Sequence, residues 1–184
     1  EIINTSNYRS LLDLNNWLKK NKIVGITGLD TRSLTNYIRD KGAPKGTISN
    51  NKTGKFNINK LIRTSIKWPG LNGMDLAEVV TTQKSYTWKG LKTWSKKNGY
   101  LKNKKKLFKI IAIDYGIKKN ILRYFSNYNC EVKVINCKTT ADEILRLNPH
   151  GIFLSNGPGD PAATGKYAIP VSYTHLRAHE TAVN

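Results

Sequence analysis

The chain of 184 residues has 31 Lys or Arg and 12 Asp or Glu, so its formal net charge is +19 and its pI is near 10.0. This length suits one or two domains, and the sequence shows no secretory signal and no apolar run near the ~20 residues of a membrane span. With only two cysteines, it is expected to be a soluble protein of the reducing cytoplasm that contacts no membrane. The charge leaves nucleic-acid binding as a hypothesis.

The first half of the chain alternates predicted helices with short strands. The spacing of apolar residues predicts, in order, a helix over 8–19, a strand over 23–26, a helix over 31–39, a strand over 46–49 and a helix over 56–66. Asp30 or Thr31 is expected to cap the second helix, and Gly42 to end it. Arg32 is interpreted as a surface cation near this cap, with contact to a partner as the alternative.

A lysine-rich segment follows. From Lys84 to Lys109 there are ten lysines and no acidic residue, with aromatic residues between them. Such a mixture could bind phosphates and stack on bases. Only seven of the 31 basic residues are arginine, however, and the lysines are spread over both halves of the chain, which disfavours a dedicated phosphate-binding surface. Residues 101–107 are therefore interpreted as a solvated linker, and no nucleic-acid partner is expected.

The second half has the pattern of a parallel sheet covered by helices. Apolar, β-branched runs predict strands over 109–114, 131–135 and 152–154. Between them, residues 118–125 place apolar side chains on one helical face, and Thr140 and Glu143 have the spacing of a capping box before a second, short helix. This βαβαβ order predicts an α/β fold with right-handed crossovers.

The third predicted strand ends in residues 155–160, Ser-Asn-Gly-Pro-Gly-Asp, which we call the glycine loop. Gly157 and Gly159 permit backbone angles closed to other residues, and they lack side chains that would keep a ligand from the main chain. Successive N–H groups in such a turn can bind an anion or a developing oxyanion. Because ligands of open α/β sheets bind beyond the carboxyl ends of the strands, both glycines are candidate binding residues.

Two groups of motifs resemble one enzyme family. Ile113-Asp114-Tyr115-Gly116-Ile117-Lys118, together with the glycine loop, is similar to the start of a class I glutamine amidotransferase domain. Gly28-Leu29-Asp30-Thr31-Arg32-Ser33 and the later Gly73-Met74-Asp75-Leu76 resemble the first domain of the small, glutamine-hydrolysing subunit of carbamoyl-phosphate synthase. The resemblance runs from about Asn7 to Val171. It implies a partial small-subunit N-terminal domain over 1–100, then, over 108–171, the first βαβαβ part of an amidotransferase with a flavodoxin-like, mostly parallel sheet.

The resemblance also implies a chemistry. In this family a cysteine thiolate attacks the side-chain amide of glutamine, and a His–Glu pair moves the proton. The ammonia passes to a large partner subunit, which uses ATP, Mg and bicarbonate to make carbamoyl phosphate for arginine and pyrimidine synthesis. Carried over to this sequence, the glutamine contacts fall on Gly157 and Gly159, with oxyanion stabilisation mainly at Gly157. The small subunit itself would need no cofactor.

The nucleophile that the family implies is not found in the sequence. It lies in a Gly-x-Cys-x-Gly motif, whereas Cys130 and Cys137 have no flanking glycines and are interpreted as partly buried thiols. No catalytic residue is assigned for this reason. The chain is interpreted as an internal fragment of a longer subunit and is predicted to hydrolyse no glutamine.

Residues 172–184 do not continue the family pattern and are interpreted as a non-native tail. They contain His175 and His179 at i, i+4 with Glu180 adjacent, a spacing that suits a metal site on a helix. No third ligand is evident, so no metal is expected. Two other functions stay open: another class I glutamine amidotransferase, such as the glutaminase of guanine nucleotide or anthranilate synthesis, and a lysine-rich nucleic-acid-binding module.

Overall fold

A computed structural model describes residue 5, residues 7–102, residue 104 and residues 106–180, with the backbone alone for 174–180. The chain divides into two compact units, Glu1–Gly70 and Leu71–Asn184. This division differs from the predicted one, which placed the boundary at residues 101–107. The physical reason is that residues 86–88 pair with a strand of the second unit. Which domain of the family each unit represents stays a prediction.

The described residues of the first unit form three helices, α1 (Leu14–Lys20), α2 (Thr31–Lys41) and α3 (Ile58–Lys67). The side chains of Asp13, Asp30 and Asn57 each accept a hydrogen bond from a backbone N–H in the first turn of the helix that follows. The three predicted helices are confirmed, as is the cap at Asp30, although α1 begins at Leu14 rather than at residue 8.

The two strands predicted for the first unit are wrong. Within the described part of this unit, residues 23–26 and 46–49 have no regular secondary structure and belong to no sheet. A strand requires a neighbour that satisfies its N–H and C=O groups, and neither segment has one. Thr47 instead contacts α3, where its Oγ1 lies 2.6 Å from Ser65 Oγ. Apolar side chains in both segments stay exposed, with Val24 at 66% and Ile48 at 70% of full accessibility.

The second unit is built on a mixed sheet. Its helices are α4 (Leu76–Val80), α5 (Lys119–Asn127), α6 (Ala141–Leu145) and α7 (Pro161–Glu180), and its strands are β1 (Tyr86–Trp88), β2 (Gly90–Ser95), β3 (Gly99–Lys102), β4 (Phe108–Asp114), β5 (Cys130–Asn136) and β6 (Gly151–Leu154). Four of these strands form one sheet in the order β1-β5-β4-β6. β4 is parallel to both β5 and β6, and β1 is antiparallel to β5. The predicted α/β fold with a mostly parallel sheet is confirmed.

Both faces of this sheet are buried. Ile111, Ile113 and Ile135 lie in one apolar cluster with Ile144 of α6 and Val171 of α7. On the other side, Ala112, Val132 and Val134 pack with Leu122 of α5. Burial of each such aliphatic side chain stabilises the fold by roughly 1.5–3 kcal/mol. The predicted capping box is confirmed at the start of α6, where Thr140 and Glu143 exchange hydrogen bonds.

β2 and β3 form a separate two-stranded hairpin that packs on α5. The Lys92 N–H donates to Asn127 Oδ1 at 2.8 Å, and the Arg123 guanidinium lies 3.7 Å from the centre of the Tyr100 ring. The interpretation of residues 101–107 as a linker is therefore wrong at its start, since Leu101 and Lys102 belong to β3. The lysine content of this segment predicted a solvated linker, but antiparallel pairing with β2 orders its first two residues.

Candidate functional site

The glycine loop joins β6 to α7 at the carboxyl edge of the parallel strands, as the sequence predicted. The glycine loop is hydrogen-bonded to the loop that follows the neighbouring strand β4. Ser155 Oγ accepts a hydrogen bond from the Tyr115 N–H at 2.9 Å and donates one to the Asn156 carbonyl at 2.8 Å. The neighbouring loop is itself ordered by Asp114, whose Oδ1 accepts the N–H groups of Gly116 and Ile117.

The two glycines are required by close backbone contacts. A Cβ on Gly157 would lie 2.3 Å from the Tyr115 carbonyl oxygen, and one on Gly159 would lie 2.6 Å from the Met74 carbonyl oxygen. Gly159 also has φ near +90°, which other residues rarely adopt. Ligand access was the predicted reason for the missing side chains. The structure gives another reason, because main-chain atoms of the same chain lie close to where each Cβ would be.

The N–H groups of the two glycines nevertheless stay available. Within the residues that the structure describes, neither the Gly157 nor the Gly159 N–H donates a hydrogen bond. Their neighbours are engaged: the Ser155 N–H donates to Ile113 O at 3.2 Å and the Asp160 N–H to Met74 O at 3.0 Å. Two N–H groups of the glycine loop are therefore free to bind a ligand, while the N–H groups at both ends of the loop are hydrogen-bonded to the protein.

Both glycines line a cavity of about 280 Å³. Its other walls come mainly from α4, β6 and the first half of α7, through Ala77, Leu154, Thr164, Gly165 and Ala168. Small-molecule sites usually measure roughly 300–1,000 Å³, so this cavity suits a ligand of about the size of an amino acid. The lining is largely apolar, and its polar side chains are those of Tyr115, Ser155 and Thr164.

Two tyrosines of this region are neutral at physiological pH: Tyr115, which lines the cavity, and Tyr167 of α7. Burial raises the pKa of Tyr115 to about 12, and its hydroxyl finds no partner among the described residues. Burial, followed by the hydrogen bond that its hydroxyl donates to Asp75 Oδ1 at 2.9 Å, raises the pKa of Tyr167. Neither phenol can act as a base near neutral pH.

The two cysteines lie away from the cavity lining. Cys130 begins β5 and Cys137 directly follows it, and both are buried. Burial raises the pKa of the Cys130 thiol, which disfavours the reactive thiolate. Cys137 packs under the sheet with Ile135 and Tyr115. Both placements agree with the interpretation of packed thiols.

Metal binding and membrane insertion find no support in the described residues. No group of three His, Cys, Asp or Glu side chains there is arranged to hold an ion. The side chains of His175, His179 and Glu180 lie outside the described residues. None of the described helices combines the length and the apolarity needed to cross a membrane.

One neighbour of the glycine loop was not predicted from the sequence. Residues 73–76 were predicted as a family motif, but not as neighbours of this loop. Met74 O accepts the Asp160 N–H at the end of the loop, and Asp75 accepts the hydroxyl of Tyr167, which belongs to α7. The Gly-x-Asp pattern before α4 was the available signal, since Asp75 is the N-cap of that helix.

Two family models match parts of this chain. A family model described as Glutamine amidotransferase class-I matches residues 111–177, which hold the parallel strands and the glycine loop. The site-bearing region is thus that of a class I glutamine amidotransferase. A second model, Carbamoyl-phosphate synthase small chain, CPSase domain, matches residues 1–48.

Curated relatives define the family more narrowly. The carbamoyl phosphate synthase small chains of Bradyrhizobium diazoefficiens and Rhizobium meliloti are each 47% identical to this chain, over 92% and 93% of it. That of Bartonella henselae is 48% identical over 92% of the chain. The chain belongs to the carbamoyl phosphate synthase small chain family. It spans 43% of the length of each of these relatives.

Proposed function

We propose that this chain forms part of the glutaminase subunit of a carbamoyl-phosphate synthase, and that Gly157 and Gly159 bind the side-chain amide of glutamine. One observation carries the proposal: both glycines line a cavity of suitable size while their N–H groups donate no hydrogen bond within the described residues. The assignment to the family supports it, because the resemblance implies glutamine as the ligand of this loop.

The chemistry explains why main-chain donors are useful here. When a thiolate attacks the amide carbon of glutamine, negative charge develops on the amide oxygen. Fixed N–H donors aimed at that oxygen stabilise the transition state, and loss of one such donor typically lowers kcat by about 10²–10³. We assign the oxyanion to Gly157, which is exposed at the rim of the cavity, and ligand orientation to Gly159, which is packed on Met74.

The described lining of the cavity supplies no thiol and no base for this reaction. Ser155 Oγ already accepts one hydrogen bond and donates another, and Tyr115 is neutral because its pKa is about 12. Without a nucleophile, bound glutamine would not be hydrolysed. We therefore propose that the chain alone binds glutamine but releases no glutamate.

In the whole enzyme, the proposal assigns the following steps. Ammonia released from glutamine passes to a large subunit, which combines it with bicarbonate at the expense of ATP, with Mg²⁺ on the nucleotide, to form carbamoyl phosphate. The product feeds arginine and pyrimidine synthesis in the cytoplasm. This subunit itself holds no cofactor in the proposal, and its partner is the large subunit in a heterodimer.

The proposal is tested by calorimetric titration of the full chain with L-glutamine and, as a control, D-glutamine. We expect weak, stereoselective binding of L-glutamine, with Kd on the order of 1 mM, and no glutamate release above background. Equal heats for both enantiomers, or no binding of either at tens of times that concentration, would contradict the ligand assignment. Glutamate release in proportion to protein would refute the absence of a nucleophile.

The two alternative functions are less well supported. The match over residues 1–48 and the identity to carbamoyl phosphate synthase small chains disfavour another class I amidotransferase. The lysine-rich segment has exposed rings at Tyr86 and Phe108, which are 38% and 52% accessible. The matching family models describe enzymes, however, which disfavours a nucleic-acid-binding module. Affinity for single-stranded RNA that falls steeply with salt would revive this function.

A further inference from the structure

The glycine loop is attached at its far end to a segment that lies far away in sequence. Asp160 Oδ2 accepts the N–H of Gly73 at 2.8 Å, although 87 residues separate the two. Its other oxygen, Oδ1, accepts the N–H of Ala162 in the first turn of α7 at 2.9 Å. One carboxylate thus joins residues 73–74 to the start of α7.

The main chain reinforces this junction. The Asp160 N–H donates to Met74 O at 3.0 Å, and the same carbonyl oxygen lies against Gly159, where a Cβ would come within 2.6 Å. Farther along, Tyr167 of α7 donates its hydroxyl to Asp75 Oδ1 at 2.9 Å. Residues 73–75 therefore hold both the end of the glycine loop and the helix behind it.

This attachment matters because two glycines leave the backbone angles of the loop weakly restrained. Glycine residues have the widest range of backbone angles, so Gly157 and Gly159 need outside contacts to keep their N–H groups in one direction. Ser155 fixes the loop on the β6 side. On the α7 side the charged contact is Asp160, and hydrogen bonds to a carboxylate are roughly twice as strong as neutral ones. Hydrogen bonds from Gly73 and Ala162 hold the pKa of Asp160 below its ordinary value, so it is ionised at neutral pH.

We propose that Asp160 is a positioning residue for ligand binding: by joining Gly73 to Ala162 it fixes the direction of the Gly157 and Gly159 N–H groups at the cavity. The inference rests on the proposed function for the identity of the ligand, but not for the geometry of the loop. Asp160 does not line the cavity itself. Its effect reaches the ligand through the backbone of Gly159.

Asp160→Ser separates this role from simple helix capping. Serine is as good an N-cap as aspartate, so its hydroxyl can still accept the Ala162 N–H and preserve α7. A single, shorter oxygen cannot also reach Gly73. The matched control is Asp142→Ser, which removes the same charge from an exposed position in the first turn of α6. Among the described residues, the side chain of Asp142 accepts no hydrogen bond.

The experiment has two readouts on the full chain. Nitrogen–proton correlation spectra without ligand report the chemical shifts of the Gly157 and Gly159 amides. The amide signals of the buried strand β5 serve as an internal reference. Calorimetry then gives the affinity for L-glutamine. For Asp160→Ser we expect the chemical shifts of both glycine amides to change and those of the β5 amides to stay the same. We also expect L-glutamine to bind about fivefold more weakly. Asp142→Ser should match the parent chain in both readouts.

The outcomes distinguish this inference from the proposed function. If Asp160→Ser leaves the two glycine amides in place, or shifts them without weakening glutamine binding, the positioning role is refuted. If the parent chain binds no glutamine, the proposed ligand fails, and the ligand-free spectra still decide whether Asp160 orients the loop. If the β5 amides shift as well, the substitution acts by general destabilisation, which also counts against the proposal.

Discussion

Unit 71–184 and unit 1–70 of this chain differ in how far their apolar side chains are buried. In unit 71–184 the central apolar side chains of β4 and β5 are buried, and the strands β4, β5 and β6 were predicted within a residue or two. In unit 1–70 the helices were predicted, but both strands were wrong, and no residue of α1, α2 or α3 is buried. Local patterns define helices, whereas strands also require partners.

The largest expected contrast concerns the cores. Ile111→Ala empties a fully buried position in β4, whereas Ile66→Ala changes a side chain of α3 that is 68% exposed. We expect the first to cost about 2–5 kcal/mol in the free energy of unfolding and the second to stay within about 0.5 kcal/mol. Hydrogen exchange of the slowest amides of β5 for the first variant, and of α3 for the second, measures the two losses. Similar losses for the two variants would show that the first unit has a core of its own.

A smaller contrast is expected between two glycines. In Gly157→Ala the new Cβ would meet the Tyr115 carbonyl, whereas in Gly46→Ala it would point into open space. Strain should cost Gly157→Ala about 1–3 kcal/mol, while Gly46→Ala should be neutral or stabilise by about 0.4–1 kcal/mol. Urea unfolding of the unit that carries each substitution, with glutamine titration as a second readout, measures the effect. A Gly157→Ala chain with unchanged stability and affinity would contradict the loop geometry.

The loss of a helix cap should affect distant amides in the second unit but only local amides in the first. Thr140→Ala removes the capping box of α6, whose Ile144 lies in the buried cluster, and should cost about 0.5–2 kcal/mol. Asp30→Ala removes a comparable cap from α2, which has no buried residue. We expect the first change to speed exchange of the β5 amides and the second to affect only the first turn of α2. Equal effects on β5 would argue against this difference.

The smallest effect appears only at high pH. Because burial raises the pKa of Tyr115 from 10.0 to about 12, the unfolded chain ionises before the folded one. Its contribution to stability is complete below pH 10 and declines as the pH rises towards 12. Tyr115→Phe should therefore show a flatter decline in urea midpoint over that range than Tyr37→Phe, whose parent side chain is exposed on α2. Identical slopes would show that Tyr115 is not desolvated.

Some of the site could be predicted from sequence and some could not, for identifiable reasons. The position of Gly157 and Gly159 at the sheet edge followed from strand order, which local patterns encode. The attachment of Asp160 to Gly73 did not, because no local pattern reports a contact across 87 residues. β1 was missed for the same reason, since a three-residue strand exists only through its pairing with β5. The end of the β2–β3 hairpin was predicted as a linker because its lysines indicated a solvent-exposed segment.

The central claim is that two main-chain N–H groups of the glycine loop receive the side-chain amide of glutamine. Spectra of the chain labelled with ¹⁵N-glycine, which give at most 14 signals, test it most directly. On addition of L-glutamine we expect the signals of Gly157 and Gly159 to move while Gly28 and Gly46 stay fixed, and D-glutamine to move none. Shifts confined to other glycines, or equal shifts with both enantiomers, would contradict the account.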